Sequence, residues 1–253
     1  MNERTSEIQG VAPHRPLTEY YADEAARHSW LRRVFDSTAV DYDRVESLMA
    51  FGSGPWYRRQ ALSRAGLTRG MQVLDVGTGT GLTAIEAARL SGSGANVTGV
   101  DPSVGMLANA HLPAGMRVVE GRAEELPAAD CSFDFVCMGY ALRHVADVRA
   151  VFGEFFRVLR PGGRACVLEI TRPSSARATW WLRLYMRHFV PAMARVVGRS
   201  RDMPQLMRYY WDSIEACVPP QKVIEQMRAA GFTSVTRHVV LGIFSEYVAV
   251  KST

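Results

Sequence analysis

Cysteine is scarce in this chain: Cys131, Cys137, Cys166 and Cys217 are the four in 253 residues. None belongs to a CxxC pair and none stands near paired histidines. Zinc and redox spacings are therefore missing, so buried thiols are expected and no metal is predicted. Also missing is an apolar run approaching the roughly 20 residues of a membrane-spanning helix. Hydrophobic residues at 47% and charged residues at 22% instead match an ordinary globular protein. Internal repeats and low-complexity tracts are absent, which excludes solenoids and arrays. The opening stretch, "MNERTSEIQGVAPHRP", carries Glu3 and Glu7 and has neither a continuous apolar core nor a small-residue cleavage site. Residues 1–16 therefore read as a flexible tail and not a secretion signal, which favours the cytoplasm.

Acid is lacking in one long stretch. Thr171 to Arg201 contains seven arginines (172, 177, 183, 187, 195, 199 and 201) and no Asp or Glu, while the whole chain has a formal charge of +5. The remainder is thus slightly acidic. Such asymmetry suits a surface that meets phosphates, on nucleic acid or lipid, and equally a solvated helix face. Within it Trp180, Trp181, Leu184, Tyr185, Met186 and Phe189 form an apolar helical sector, with Arg183 and Arg187 on the remaining side and Pro191 expected to end the helix. One reading is a lid that presents a greasy, basic face to anionic lipid, giving peripheral membrane contact. The other is a helix packed on the sheet or on a dimer partner, so monomer and homodimer both stay open.

What is present is an alternation of strands and helices. Helices are expected at 19–33 and 45–65, separated by "FDSTAVDYD", whose Asp and Ser residues suit turns and caps. Strands follow at 72–76, 96–100, 116–120, 133–138 and 164–170, with helices at 82–90, 104–110, 148–159 and 220–230. A final pair of strands, 233–241 and 244–250, is separated too closely for a parallel crossover and should pair antiparallel at one edge. The predicted architecture is α/β, a seven-stranded mixed sheet in one domain over 17–253, with an N-terminal helical cap and a helical insertion at about 171–215.

The first strand runs into "VLDVGTGTG". Gly77, Gly79 and Gly81 let the backbone bend without Cβ clashes and let a nucleoside lie against it and the next helix. The dinucleotide fingerprint GxGxxG fails, because its third glycine would fall at Leu82. Asp75 adds a carboxylate that suits the cationic amino-acid portion of a ligand and would repel a pyrophosphate. Asp101 ends the second strand, where a carboxylate can accept from a ribose diol. Arg122 and Ala123 in "GRAEELP" are placed to frame an adenine through backbone contacts.

These motifs, together with "VFDSTAVDYDRVESLMAFG", "GVDPSVGML", "RAEELP", "FDFVCMGYALRHVAD", "RVLRPGGRACVLEITRP" and "MRYYWDSIE", resemble the class I S-adenosylmethionine-dependent methyltransferases, within them the ubiquinone/menaquinone C-methyltransferases. The resemblance spans approximately residues 34–250. It implies a Rossmann-like fold and S-adenosyl-L-methionine as cofactor, held by Asp75, Gly77, Thr78, Gly79, Gly81, Asp101, Pro102, Met106, Arg122, Ala123 and Met138. It further implies methyl transfer to a carbon of a hydroxylated ring, such as a demethylquinol with a prenyl tail. Two departures stand out: His144 occupies the place of the family's usual Asn, and "ITRP" that of "FSKP".

A phenol is a weak carbon nucleophile until deprotonated, so a cation beside the ring oxygen would help. Arg143 is the candidate, its alternative being a structural pair with Asp147. His144 is a candidate base and Tyr42 a candidate orienting hydroxyl, each with a packing alternative. Met138, Tyr140, Phe35, Met49 and Trp56 are candidate lining of an apolar acceptor pocket. Other readings remain: methylation of a small aromatic or polyketide-like metabolite at carbon or oxygen, a noncatalytic cofactor-binding protein, and a dehydrogenase, the last opposed by Leu82 and Asp75. Nucleic acid is not an expected partner, because "MGYALRH" lacks the Asn/Asp-Pro-Pro-aromatic arrangement of base methylators and no separate binding module is present.

Overall fold

A computed structural model describes residues 10–253. Seven strands form one sheet in the order β3-β2-β1-β4-β5-β7-β6. They are β1 (Val73–Val76), β2 (Val97–Asp101), β3 (Arg117–Glu120), β4 (Phe133–Gly139), β5 (Leu159–Ile170), β6 (Ser234–Val240) and β7 (Phe244–Val250). β1 to β5 are mutually parallel, and β7 runs antiparallel between β5 and β6. The C-terminal strands pair antiparallel at the sheet's edge, as the short connection requires. "RPGG" lies inside β5, where the pairing slips between Phe133–Leu159 and Phe135–Arg164. All four residues of β1 are buried, the pattern of a central parallel strand covered on both faces.

The helices are α1 (Glu24–Met49), α2 (Gly54–Arg64), α3 (Leu82–Ser91), α4 (Val104–Ala108), α5 (Val148–Val158), α6 (Ala176–Leu184), α7 (Val190–Val197), α8 (Met203–Ala216) and α9 (Pro220–Ala229). The expected break at "FDSTAVDYD" is not there: α1 runs through it. Its polar side chains find partners on other elements instead of terminating their own helix. Asp36 accepts from Ser103 Oγ at 2.6 Å and from the Gly105 amide at 2.8 Å. Asp41 accepts from the Arg199 and Ser200 amides, and Asp43 from Thr80 Oγ1. The true break follows Met49, where Phe51 and Gly52 take positive φ.

Pro191 does not end its helix either. A wide π turn over Tyr185–Phe189 joins α6 to α7, with the Val190 amide donating to the Tyr185 carbonyl, and Pro191 sits in the first turn of α7. α1, α7 and α8 share a second core, built on Trp30, Val34, Val45, Val190, Tyr209 and Trp211, beside the sheet. The N-terminal segment is tied down from residue 11: Val11 donates to Asp147 and accepts from Val148, and Pro13 accepts from Val218. This corrects the flexible-tail expectation for 10–16; residues 1–9 of that expectation lie outside the described residues.

Candidate active site

The strand order reverses at β1, with β2 and β3 on one side and β4 and β5 on the other. Open α/β sheets bind ligands at this point, beyond the carboxyl ends of the strands. A cavity of about 410 Å³ lies there, roofed by α1 and α8. That size is ordinary for a small-molecule site.

Gly77, Thr78, Gly79, Asp101, Pro102, Met106, Arg122, Ala123 and Met138 all line the cavity. Gly79 has φ +56, and a Cβ added to it would meet no atom within 4 Å, so the loop leaves open space above itself. Gly77 serves differently: a Cβ there would lie 2.6 Å from the Ala141 side chain. Gly81 does not line the cavity and caps α3 in the left-handed conformation, φ +94.

Four of the loop amides are already spent. Gly77 and Thr78 donate to the Val100 carbonyl, Gly81 to Thr78, and Gly79 to Asp101 Oδ2 at 2.8 Å. A pyrophosphate needs such amides free and pointing at it. Here the carboxylate of Asp101 has taken the central one, which reinforces the case against a dinucleotide. Asp101 also accepts from the Ser103 amide and still borders the cavity, so remaining lone pairs can face a ribose.

Asp75 is corrected. It is wholly buried beneath the loop, outside the cavity lining, accepting from Thr78 Oγ1 at 2.7 Å and Cys137 Sγ at 3.2 Å. Burial raises its pKa to about 6, and the same cause raises Asp101 to about 6. Asp75 thus supports the loop from below through Thr78.

Arg143 is corrected in the same way. It is buried, bonded to Glu169 at 2.7 Å and lying 4.8 Å from the Tyr210 ring centroid, and it does not line the cavity. Burial opposes its charge, but the facing Glu169 carboxylate keeps the guanidinium protonated. Asp147, its expected helical partner, caps α5 through the Arg149 amide. The pair lies outside the cavity lining, with Arg143 against the Tyr210 ring.

Tyr42 and His144 both line the cavity. The Tyr42 and Tyr210 hydroxyls are 2.7 Å apart, and burial raises the pKa of both. The His144 ring lies against Tyr209 and Tyr210, with Phe35 at its edge. Burial, then the charges of Arg143, Arg27 and His14, hold it well below the usual histidine range, which makes it a poor proton acceptor. Phe35, Met138 and Tyr140 line the cavity as expected; Met49 does not, and Trp56 points to solvent at 64% exposure. The lid expectation also changes: from the insertion, only Tyr210 of α8 reaches the cavity, while α6 buries no residue.

Arg58 was invisible in the sequence. Its side chain borders the cavity at 3% exposure, bonded to Glu46 at 2.7 Å, with Nε and Nη1 unpartnered. Both atoms are enclosed, Nη1 close to Gly54, so an anionic group such as a carboxylate could meet them only if the side chain turns toward the cavity. An amino-acid carboxylate at Arg58, a ribose at Asp101 and space over Gly79 together fit an S-adenosyl amino acid. Among the described residues no group of three or more His, Cys, Asp or Glu is arranged to hold a metal.

Fold and site define a class I methyltransferase, whose cofactor is S-adenosyl-L-methionine. The ubiE/COQ5 methyltransferase family model matches residues 23–251, and the chain belongs to that family. It is 34% identical over 227 residues to a demethylmenaquinone methyltransferase of Roseiflexus castenholzii, covering 88% of this chain and 93% of that one. It is 32% identical over 209 residues to the ubiquinone/menaquinone biosynthesis C-methyltransferase UbiE of Idiomarina loihiensis, covering 80% and 82%. A solved SAM-dependent methyltransferase from Thermotoga maritima shares the fold, with a TM-score of 0.61 at 21% identity over 88% of this chain and all of that one.

Proposed function

We propose that the protein methylates a ring carbon of a reduced, hydroxylated aromatic acceptor of the demethylquinol type. The observation that carries this reading is the wall of Phe35, Tyr42, Tyr140, His144 and Tyr210, which closes the cavity beyond the glycine loop. Such a wall suits a flat ring, and its hydroxyl and imidazole edges suit the ring's oxygens. The relatives named for demethylmenaquinone and ubiquinone/menaquinone methylation support the same acceptor class.

When bound, the cofactor supplies an electrophilic methyl on a sulfonium; a C–S bond breaks, a C–C bond forms, and the ring carbon then gives up its proton. The residues contribute position and field. Asp101 and Arg58 would hold the two ends of the cofactor, and the aromatic wall would orient the ring toward the methyl, where alignment supplies much of the rate. The Tyr42–Tyr210 hydroxyl pair would stand near the ring's oxygen, with the Arg143 guanidinium against the Tyr210 ring and its charge balanced by Glu169. α1 and Tyr210 of α8 cover one side of the cavity.

A lipid surface belongs to the same reading. Trp180 and Trp181 of α6 are 55% and 63% exposed, Phe189 is also exposed, and Phe51, stacked on Tyr185, is 83% exposed. Arg183 and Arg187 are paired with Glu215 and Asp212, which leaves the other arginines of the stretch to meet anionic headgroups. No helix among the described residues is long and apolar enough to cross a membrane. Flotation with anionic vesicles is expected to carry the protein upward and to lose it in Trp180→Ala/Trp181→Ala; indifference to both would remove the lipid arm.

The acceptor class is tested with methyl-labelled cofactor offered to reduced demethylated naphthoquinols, benzoquinols and simple phenols. Mass spectrometry should find label on the quinols first. Preference for small phenols would overturn the acceptor class.

A further inference from the structure

The His144 ring has two nitrogens in different situations. Nδ1 lies 3.3 Å from the Tyr209 hydroxyl, while Nε2 is buried without a partner on a residue that lines the cavity. A neutral imidazole carries one proton, and the hydrogen bond at one nitrogen decides which nitrogen bears it.

Tyr209 makes that decision. Its hydroxyl lies 3.3 Å from His144 Nδ1, the one neighbour that can accept its proton among the described hydrogen bonds. The charged group bearing on it from α1 is Arg27, whose guanidinium donates to the Val145 and Arg143 carbonyls and has no lone pair to accept a proton. The Tyr209 proton therefore points at Nδ1, and the imidazole proton sits on Nε2, a buried and unpartnered atom of a residue in the cavity lining. Every other charged or titratable group around the ring favours the neutral form or is neutral itself. Arg143, Arg27 and His14 repel a second proton, and burial keeps Tyr42, Tyr209 and Tyr210 protonated. Tyr209, Tyr210 and Phe35 hold the ring plane by packing.

We propose that His144 meets the acceptor's ring oxygen as a neutral hydrogen-bond donor through Nε2–H, and that Tyr209 is the positioning residue that fixes this tautomer. The inference rests on the aromatic-acceptor reading above and replaces a base at this position with a donor. A donor aimed at the ring oxygen strengthens as that oxygen gains negative charge, and so favours the phenolate whose ring carbon attacks. The oxygen's own proton is not taken by His144.

Two measurements test it. Nitrogen-15 NMR of histidine-labelled protein with S-adenosylhomocysteine, the His144 signals assigned by their loss in His144→Asn, should show the Nε2–H tautomer and no titration between about pH 5 and 8. Tyr209→Phe should mix the two tautomers. An Nδ1–H tautomer, or a midpoint near the ordinary histidine value, would overturn the proposal. In turnover of a soluble demethylated quinol, His144→Ala should lower kcat by about 100- to 1,000-fold, as for loss of one oxyanion donor. His144→Asn, which retains an N–H, should stay within about tenfold of the native enzyme, and Tyr209→Phe should lower kcat with KM for the cofactor unchanged. Equal losses in His144→Ala and His144→Asn would also overturn it. If no quinol is turned over, the acceptor reading fails by itself, and the tautomer measurement still decides the state of His144.

Discussion

Replacing Arg58 by methionine separates a ligand contact from a structural ion pair. The side chain is nearly buried, holds Glu46 at 2.7 Å, and leaves Nε and Nη1 enclosed and unpartnered on a residue that borders the cavity. A charge-assisted hydrogen bond contributes about 1.5–3 kcal/mol, so loss of one bond to the cofactor's carboxylate should weaken binding by roughly 10- to 150-fold. Methionine keeps an unbranched stem of similar reach, and Glu46→Gln in the same chain removes the carboxylate that would otherwise be stranded. The assay is calorimetric titration with S-adenosylhomocysteine and with methylthioadenosine, which shares the nucleoside and lacks the amino acid. The double variant should lose the first ligand by the stated factor and bind the second nearly as the native protein does. Equal losses for both ligands would mean that the substitution damages the cavity generally. No loss for either would mean that Arg58 meets no ligand carboxylate.

Gly79→Val places a branched side chain at φ +56 in the open space above the loop; it should cost about 1–2 kcal/mol of stability and weaken S-adenosylhomocysteine by at least about tenfold, read by melting and titration. Arg143→Leu strands Glu169 and should cost about 3–5 kcal/mol in urea unfolding, with most of the loss recovered in Arg143→Leu/Glu169→Leu. Asp75, with its pKa raised to about 6 by burial, binds its proton more tightly folded than unfolded, so its contribution to stability falls as pH rises from about 4 to 6 and is level above that. The stability of Asp75→Asn relative to the native protein should accordingly rise by roughly 2 kcal/mol between pH 4 and 7 in urea unfolding, and a flat difference would contradict this sign.

The order of strands and helices was legible because each element carries its own pattern, and the short link before Phe244 forces an antiparallel pair. The glycine loop and Asp101 were legible as a site because glycine at a strand's end has few other uses. What could not be read locally depends on partners distant in the chain. Asp36, Asp41 and Asp43 look like turn formers until Ser103, the Arg199 and Ser200 amides, and Thr80 are seen to donate to them. Arg143 looks like a free cation until Glu169, from β5, is brought against it. Asp75 looks like a ligand-binding acid, and only the packing of Thr78 and Cys137 around it shows that it supports the loop. Arg58 carries no local signal, since its significance lies in being buried with donors unspent. Pro191 was misread because the π turn before it accommodates the ring without ending the helix.

Methyl transfer to ring carbon is tested most directly by a crystal structure with S-adenosylhomocysteine and a demethylated quinol bound together. The account predicts the thioether sulfur above Gly79 and a ring carbon, flanked by the hydroxyl, aligned with it at a distance that leaves room for one methyl. A hydroxyl oxygen aligned with the sulfur in place of that carbon, or a ring seated away from Phe35, Tyr140 and Tyr210, would contradict it.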